Sequence, residues 1–373
     1  LYGWFAEERL AQEIVLGIGG VRALRALGLD VDVYHFNEGH AVLAALELIE
    51  EHKSRGSSFE DAWGATREQV VFTTHTPVVQ GNESHELRTM EYMGATRNLT
   101  LEQMERVGGT PFNMTVAALR VSRRANAVAE LHAETANEMW RHVAGRCEIV
   151  PITNCIHTPT WVDERIVAAT EAGAPLRPVH DGIKAELIDF IADRTGTRFA
   201  QDRLLIGFSR RAAPYKRSDL LFSDLERIGP YLERGDIQIV FSGKAHPLDD
   251  TGKDIVSQII AMTRAYPDAV AFLQDYDMEI GKILTRGSDV WLNNPRRPQE
   301  ASGTSGMKAA MNGVLNLSVL DGWWAEGYEG SNGWAIPGDE DPNHEVQDQR
   351  DAETLLDLLE KEIIPLFYDR DSD

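Results

Sequence analysis

Short apolar runs alternate with amphipathic stretches of helical period along most of this chain. That alternation restricts the fold more than any other feature. In the first half the runs fall at 31–36, 70–74, 127–130 and 149–153. In the second they fall at 204–209, 237–242, 269–273, 290–293 and 314–319. Many are rich in Val, Ile and Phe, as strands buried on both faces of a parallel sheet are. The stretches 10–27, 41–52, 131–143, 183–195 and 255–265 read as helices between them. Strand–helix alternation predicts an α/β fold with parallel sheets.

A chain of 373 residues suits two domains. The boundary is expected near 151–159, where a strand ends in Thr153-Asn154 and Pro159 interrupts regular structure. This gives blocks 1–157 and 158–373. Pro175-Leu176-Arg177-Pro178 reads as a connector, and the second α/β block starts near Leu204. The chain opens on Leu1-Tyr2-Gly3-Trp4 without an initiator Met and closes on Asp369-Arg370-Asp371-Ser372-Asp373, so it reads as part of a longer protein.

The net charge of −22 argues against nucleic acid or an anionic membrane as a general partner. No apolar run approaches the length of a membrane span. The cysteines, Cys147 and Cys155, form neither a disulfide framework nor a metal-ligand spacing, so no metal is expected. This usage fits a reducing cytosol.

Three groups of residues carry chemistry. The first follows the run at 204–209: Arg210, Arg211, Lys216 and Arg217 crowd one turn of an acidic chain, ahead of a helix around 220–231. Cations oppose the dipole at a helix N-terminus unless an anion lies between. The segment reads equally as an anion site or as a solvated basic turn. The second group is Glu300-Ala301-Ser302-Gly303-Thr304-Ser305-Gly306-Met307-Lys308. Its glycines permit close backbone approach to a ligand, and Thr304 or Ser305 could cap a helix starting near Met307. Lys308 would then lie in the first turn, a place better suited to a bound anion or a Schiff base than to a solvated ammonium. An ordinary capped helix with a surface lysine is the other reading. The third group is polar motifs at strand ends: Asn37-Glu38-Gly39-His40, Thr73-Thr74-His75-Thr76-Pro77, Thr153-Asn154-Cys155-Ile156 and Gly243-Lys244-Ala245-His246-Pro247. Their recurrence at strand ends points to a ligand site.

These segments resemble the α-glucan phosphorylases. The stretch 300–313, EASGTSGMKAAMNG, is similar to that family's pyridoxal-phosphate lysine segment, and 209–217, SRRAAPYKR, to its phosphate-binding segment. NEGH, TTHTP, PITN, FSGKAHP, FLQDY and LDGW occur in the family's order, so the resemblance covers essentially the whole chain. It is strongest to the shorter bacterial and archaeal branch.

The resemblance implies the GT-B architecture, two Rossmann-like lobes with parallel sheets and a cleft between them. Residues 1–157 would be part of the N-terminal lobe, incomplete at its start. Residues 158–373 would be the C-terminal lobe carrying pyridoxal 5′-phosphate. It implies that Lys308 forms the Schiff base and that Arg210, Gly303, Thr304, Tyr276 and Asn154 surround the cofactor. Arg211 and Lys216 match the cations that bind the attacking phosphate. Glu300, Ser302, Gly303 and Asn154 match contacts to the reacting sugar. His75 matches a residue whose main-chain carbonyl lies near the developing oxocarbenium.

The implied reaction is phosphorolysis of a terminal α-1,4-linked glucose to glucose 1-phosphate with retention of configuration. The cofactor's 5′-phosphate assists the substrate phosphate, so no catalytic carboxylate pair is needed. The implied partners are an α-1,4-glucan and inorganic phosphate, with a homodimer as assembly. Ala213, Pro214, Ser305, Gly306 and Cys155 depart from the longer family members. With its first lobe incomplete, the chain alone is expected to be poorly active. A nucleotide-sugar-dependent GT-B glycosyltransferase would share the fold but need no lysine at Lys308. A non-catalytic glucan-binding scaffold would keep the fold without the turnover.

Overall fold

A computed structural model describes residues 6–78 and 81–369, so the opening residues 1–4 and the closing residues 370–373 noted above lie outside the described residues. The chain divides into two compact units between Thr153 and Asn154.

The first unit is built on a four-stranded parallel sheet. Its strands are β1 (Tyr34–Asn37), β2 (Val70–Thr73), β5 (Arg124–Ala127) and β6 (Ile149–Pro151), in the order β1-β2-β5-β6. A short antiparallel ribbon, β3 (Ser84–His85) with β4 (Phe112–Asn113), stands apart from it. Helices Leu43–Ser54, Phe59–Gln69 and Met114–Val121 pack their apolar faces with Phe36, Phe72 and Ala125 into one core. The strand expected at 127–130 lies instead at Arg124–Ala127. Polar Arg124 and Asn126 alternate there with buried alanines and conceal the strand, and Glu130 already begins the helix Glu130–Met139.

The second unit carries a six-stranded sheet, parallel throughout, in the order β12-β11-β10-β7-β8-β9. The strands are β7 (Leu204–Ser209), β8 (Ile237–Ser242), β9 (Val270–Leu273), β10 (Val290–Asn293), β11 (Leu315–Val319) and β12 (Gly333–Ile336). Every residue of β7 and β8 is buried. Successive side chains of a strand face opposite sides. Accordingly Ile206 and Phe208 join one core with Ile228, Ile255 and Leu355, while Leu205 joins another with Leu187, Leu284 and Trp291. Burial on both faces is why these strands read as unbroken apolar runs.

β12 was not expected from the sequence, because Gly333-Trp334-Ala335-Ile336 is short and only half-buried at the sheet edge. The supposed connector at 175–178 is shorter than expected: Arg177 opens the helix Arg177–Thr195, with Pro178 in its first turn, where a missing N–H costs nothing. Pro159 likewise sits in the first turn of a short helix, Thr158–Trp161, rather than breaking structure. Among the described residues no helix is long and apolar enough to cross a membrane.

Candidate active site

Parallel strands deliver the loops that follow them to one edge of the sheet. In the second unit β7 and β10 are neighbours, yet the chain runs from β7 to β8 and β9 on one flank and from β10 to β11 and β12 on the other. The loops after β7 and β10 therefore diverge, and open parallel sheets take ligands at such a reversal.

The loop after β7 carries Arg210, Arg211 and Lys216; the loop after β10 carries Glu300, Ser302 and Gly303. They converge on the Glu300 carboxylate. Lys216 Nζ donates to its Oε2 at 2.5 Å, and Arg210 Nη2 donates to the same oxygen. All three side chains are buried. Burial by itself would raise the Glu300 pKa, but Arg210 and Lys216 outweigh it and hold the carboxyl at about 2. Burial and the neighbouring Arg210 push Lys216 down to about 8 despite its anionic partner. Arg210 Nη1 and Ser302 Oγ are buried with no hydrogen-bond partner among the described residues. Such atoms are rare in folded proteins and call for a ligand or water. The Arg211 residue is exposed beside the half-buried Tyr215.

Arg217, the fourth cation of the segment, serves another purpose. Its buried guanidinium pairs with Asp348 at 2.9 Å and Asp351 at 2.7 Å. It also donates to the carbonyls of Asn294 and Pro295. The helix expected at 220–231 begins only at Leu225, after two 3-10 turns, Pro214–Lys216 and Leu220–Phe222. Asp224 caps it by accepting the Glu226 and Arg227 N–H groups. The cations thus do not crowd the start of that helix, and the anion between Arg210 and Lys216 is Glu300.

Gly303 takes a left-handed conformation, φ 82°, that a side chain would disfavour, and from it springs the seven-residue helix Thr304–Ala310. Neither Thr304 nor Ser305 caps this helix through its side chain, contrary to expectation. The Ser305 hydroxyl instead accepts the Trp291 indole N–H at 3.2 Å. Because the helix starts at Thr304, Lys308 falls in its last turn rather than its first, where a cation suits the dipole.

What sets Lys308 apart is its surroundings. Its Nζ lies 3.5 Å from the centroid of the Trp161 ring and has no hydrogen bond or ion pair among the described residues. Burial lowers its pKa below the usual lysine value. The Trp161 carbonyl accepts Arg286 Nε at 3.0 Å and Asn312 Nδ2 at 3.1 Å. Asn312 also donates to the Lys308 carbonyl at 2.7 Å, and its own Oδ1 accepts the Asp163 N–H at 2.8 Å. One buried amide thereby clips the lysine helix to the tryptophan turn. Tyr276 is close by: a Cβ at Gly281 would lie 2.6 Å from the Tyr276 hydroxyl and 3.5 Å from the Trp161 ring. Asn154, half-buried on the segment after β6, makes no hydrogen bond with these residues among the described ones.

His75 belongs to the first unit, on the loop after β2. Glu38, held at φ 68° in NEGH, accepts the His75 N–H, the Thr76 hydroxyl at 3.0 Å and the Gly39 N–H at 3.3 Å. The His75 backbone is therefore anchored, while burial lowers the pKa of its ring. Elsewhere in that unit one ligand atom each of Glu13, His40 and Glu83 lie within 4.8 Å of one another. Arg9 donates to Glu83 at 2.7 Å and contacts His40 Nδ1 at 2.6 Å, so a guanidinium already supplies positive charge there.

Residues 164–329 match the family model for carbohydrate phosphorylase. The chain is 38% identical over 419 residues to a maltodextrin phosphorylase of Thermococcus litoralis, covering 99% of this chain and 50% of the relative. The chain is thus similar to carbohydrate phosphorylases along nearly all of its length. It is also 36% identical over 422 residues to a glycogen phosphorylase of Aquifex aeolicus, covering 97% of this chain and 60% of that one. A glycogen phosphorylase of Mycobacterium tuberculosis is 36% identical over 440 residues, covering 100% and 51%. The chain therefore spans about half the length of the curated relatives it matches.

Sequence reasoning missed several residues that shape these loops. Trp161 lies before the glycine-rich segments and carries no signal beyond its indole. Asn312 sits inside the recognised 300–313 stretch but looks like an ordinary helix-end residue. Asp321 lies in LDGW, a motif read only as a family mark.

Proposed function

We propose that the full protein is an α-1,4-glucan phosphorylase, and that this chain contributes its cofactor and phosphate-binding machinery. The observation that carries the reading is the buried meeting of Arg210, Lys216 and Glu300 at the reversal point of a parallel sheet, followed in the chain by a helix whose Lys308 amine has no ion pair among the described residues. The names of the relatives support phosphorolysis over transfer from a nucleotide sugar.

The residues fit pyridoxal 5′-phosphate. Lys308 offers a half-buried amine without a counter-ion. Arg210 Nη1 and Ser302 Oγ offer buried groups without partners among the described residues. Gly303, at φ 82°, opens the backbone ahead of the following helix. Lys308 would hold the cofactor covalently, with Arg210, Gly303, Thr304, Tyr276 and Asn154 around it. Bound there, the cofactor supplies a phosphate group beside the substrate phosphate.

The chain's own residues do the rest. Arg211 and Lys216 bind inorganic phosphate and offset the repulsion between two neighbouring phosphates. Glu300, Ser302, Gly303 and Asn154 orient the terminal sugar by its hydroxyls. The substrate phosphate donates its proton to the leaving oxygen and attacks the same face, giving glucose 1-phosphate with retention. A homodimer, an α-1,4-glucan substrate and a cytoplasmic setting belong to the same proposal.

The test is to reconstitute the purified protein with pyridoxal phosphate, reduce it with borohydride and map the modified peptide. Label confined to Lys308, followed by phosphate-dependent release of glucose 1-phosphate by the full-length protein, supports the reading. A folded protein that takes no label on Lys308 overturns it.

A further inference from the structure

Asp321 is a buried carboxylate to which the proposed reaction gives no part. It follows β11, in the turn that LDGW forms, and is 1% exposed. Its carboxylate forms no ion pair among the described residues. Oδ2 accepts the backbone N–H of Glu300 at 2.9 Å, and Oδ1 accepts the N–H of Gly322 at 2.8 Å. The same turn holds the Glu300 loop at a second point: Trp323 N–H donates to the Ser302 carbonyl at 2.8 Å. At Gly322 the two segments touch backbone to backbone, since a Cβ there would lie 2.7 Å from the Ser302 carbonyl carbon.

We propose that Asp321 is a positioning residue that holds Glu300, through its backbone N–H, at the junction of Arg210 and Lys216, and so sets the anion affinity of this site. This rests on the phosphate-binding reading above. A carboxylate buried without an ion pair is costly; burial, with the nearby Glu300 charge, raises its pKa to about 7 against the two N–H groups and the more distant Arg297. A neutral side chain with a single acceptor oxygen, such as asparagine, could hold only one of these two N–H groups. A carboxylate can accept both N–H groups at once, which ties the loop from β10 to the turn after β11.

The consequence is a coupling that purely structural support would not produce. Glu300 places a negative charge on the very cations that an incoming phosphate requires. Removing that charge should tighten phosphate binding, and misplacing it should do so in part. Displacing a residue that acts only through Glu300 should then matter little once Glu300 is neutral.

The experiment is a double-mutant cycle read by equilibrium titration of inorganic phosphate into the pyridoxal-phosphate-loaded protein. Its variants are Glu300→Gln, Asp321→Asn and both together, each checked by thermal unfolding. Glu300→Gln is expected to tighten phosphate about tenfold by removing an adjacent like charge. Asp321→Asn is expected to tighten it about threefold in the native background and to have no effect in the Glu300→Gln background. Gly322→Ala, which pushes the same loop without removing a charge, should show the same dependence on Glu300 and carries the test if Asp321→Asn does not fold. An Asp321→Asn effect that persists unchanged in the Glu300→Gln background marks a through-space or general structural effect and overturns the positioning role. Absence of phosphate binding by the native protein overturns the anion-site reading, and this inference with it.

Discussion

The Lys308 amine rests on the face of Trp161, 3.5 Å from the ring centroid, and Asn312 ties the backbones of both residues together. A lysine in water is almost wholly protonated at neutral pH. Here burial lowers its pKa and enlarges the fraction of free amine that can react with an aldehyde.

Trp161→Ala is therefore expected to return the Lys308 pKa toward its ordinary value. Borohydride-trapped pyridoxal phosphate on Lys308 should fall severalfold at pH 7 and recover at alkaline pH, where even a solvated lysine loses its proton. Equal yields from variant and native protein at pH 7 would refute the role of the ring.

Glu300 and Asp321 pull the pH dependence of stability in opposite directions. Glu300 is lowered from 4.5 to about 2, so its contribution is fully present above pH 4.5 and is lost as pH falls toward 2. Asp321 is raised from 3.8 to about 7, so it costs stability that accumulates as pH rises from 3.8 to 7. Glu13, raised to about 7 mainly by burial, acts in the same sense as Asp321. Urea unfolding of the native protein should show this loss between pH 5 and 7, and Asp321→Asn should show less of it.

Arg217 is a structural cation, whatever its place in the basic segment suggests. Arg217→Ala leaves the buried Asp351 without the partner it now has at 2.7 Å, while Asp348 keeps Arg296 at 2.5 Å. Breaking a buried pair of this kind costs about 3 kcal/mol or more. Denaturant titration should show that loss.

Arg211 should behave in the opposite way. Its residue is exposed and forms no ion pair among the described residues, so Arg211→Ala should leave the unfolding midpoint unchanged. Phosphate affinity should fall, and the difference between variant and native protein should shrink with added salt. A drop in the midpoint with unchanged phosphate binding would reverse the assignment.

Much of the second unit is legible in the sequence alone. β7 and β8 are buried on both faces, and that requirement writes itself into the sequence as six consecutive apolar or small residues at Leu204–Ser209 and a similar run at Ile237–Ser242. β5 and β12 are not legible, because Arg124, Asn126 and Gly333 interrupt the pattern in strands that meet more polar surroundings. Glycine and charge clustering singles out 209–217 and 300–308 as chemical segments, since few structural duties ask for that composition.

What the sequence determined by itself is the alternation of strand and helix and the chemical character of these loops, both of which are local properties. What only the tertiary structure decided is who meets whom. Arg210 and Lys216 find Glu300 across 90 and 84 residues of chain, while the adjacent Arg217 turns to Asp351. Local spacing cannot separate two neighbouring cations of like character. Their fates divide because the strand order reverses between β7 and β10, and because Arg217, at φ 48°, takes a backbone turn that its neighbours do not. The duty of Asp321 was invisible for the same reason. Its partner is a backbone N–H that the fold brings to it from another strand, and a backbone amide leaves no mark in a sequence.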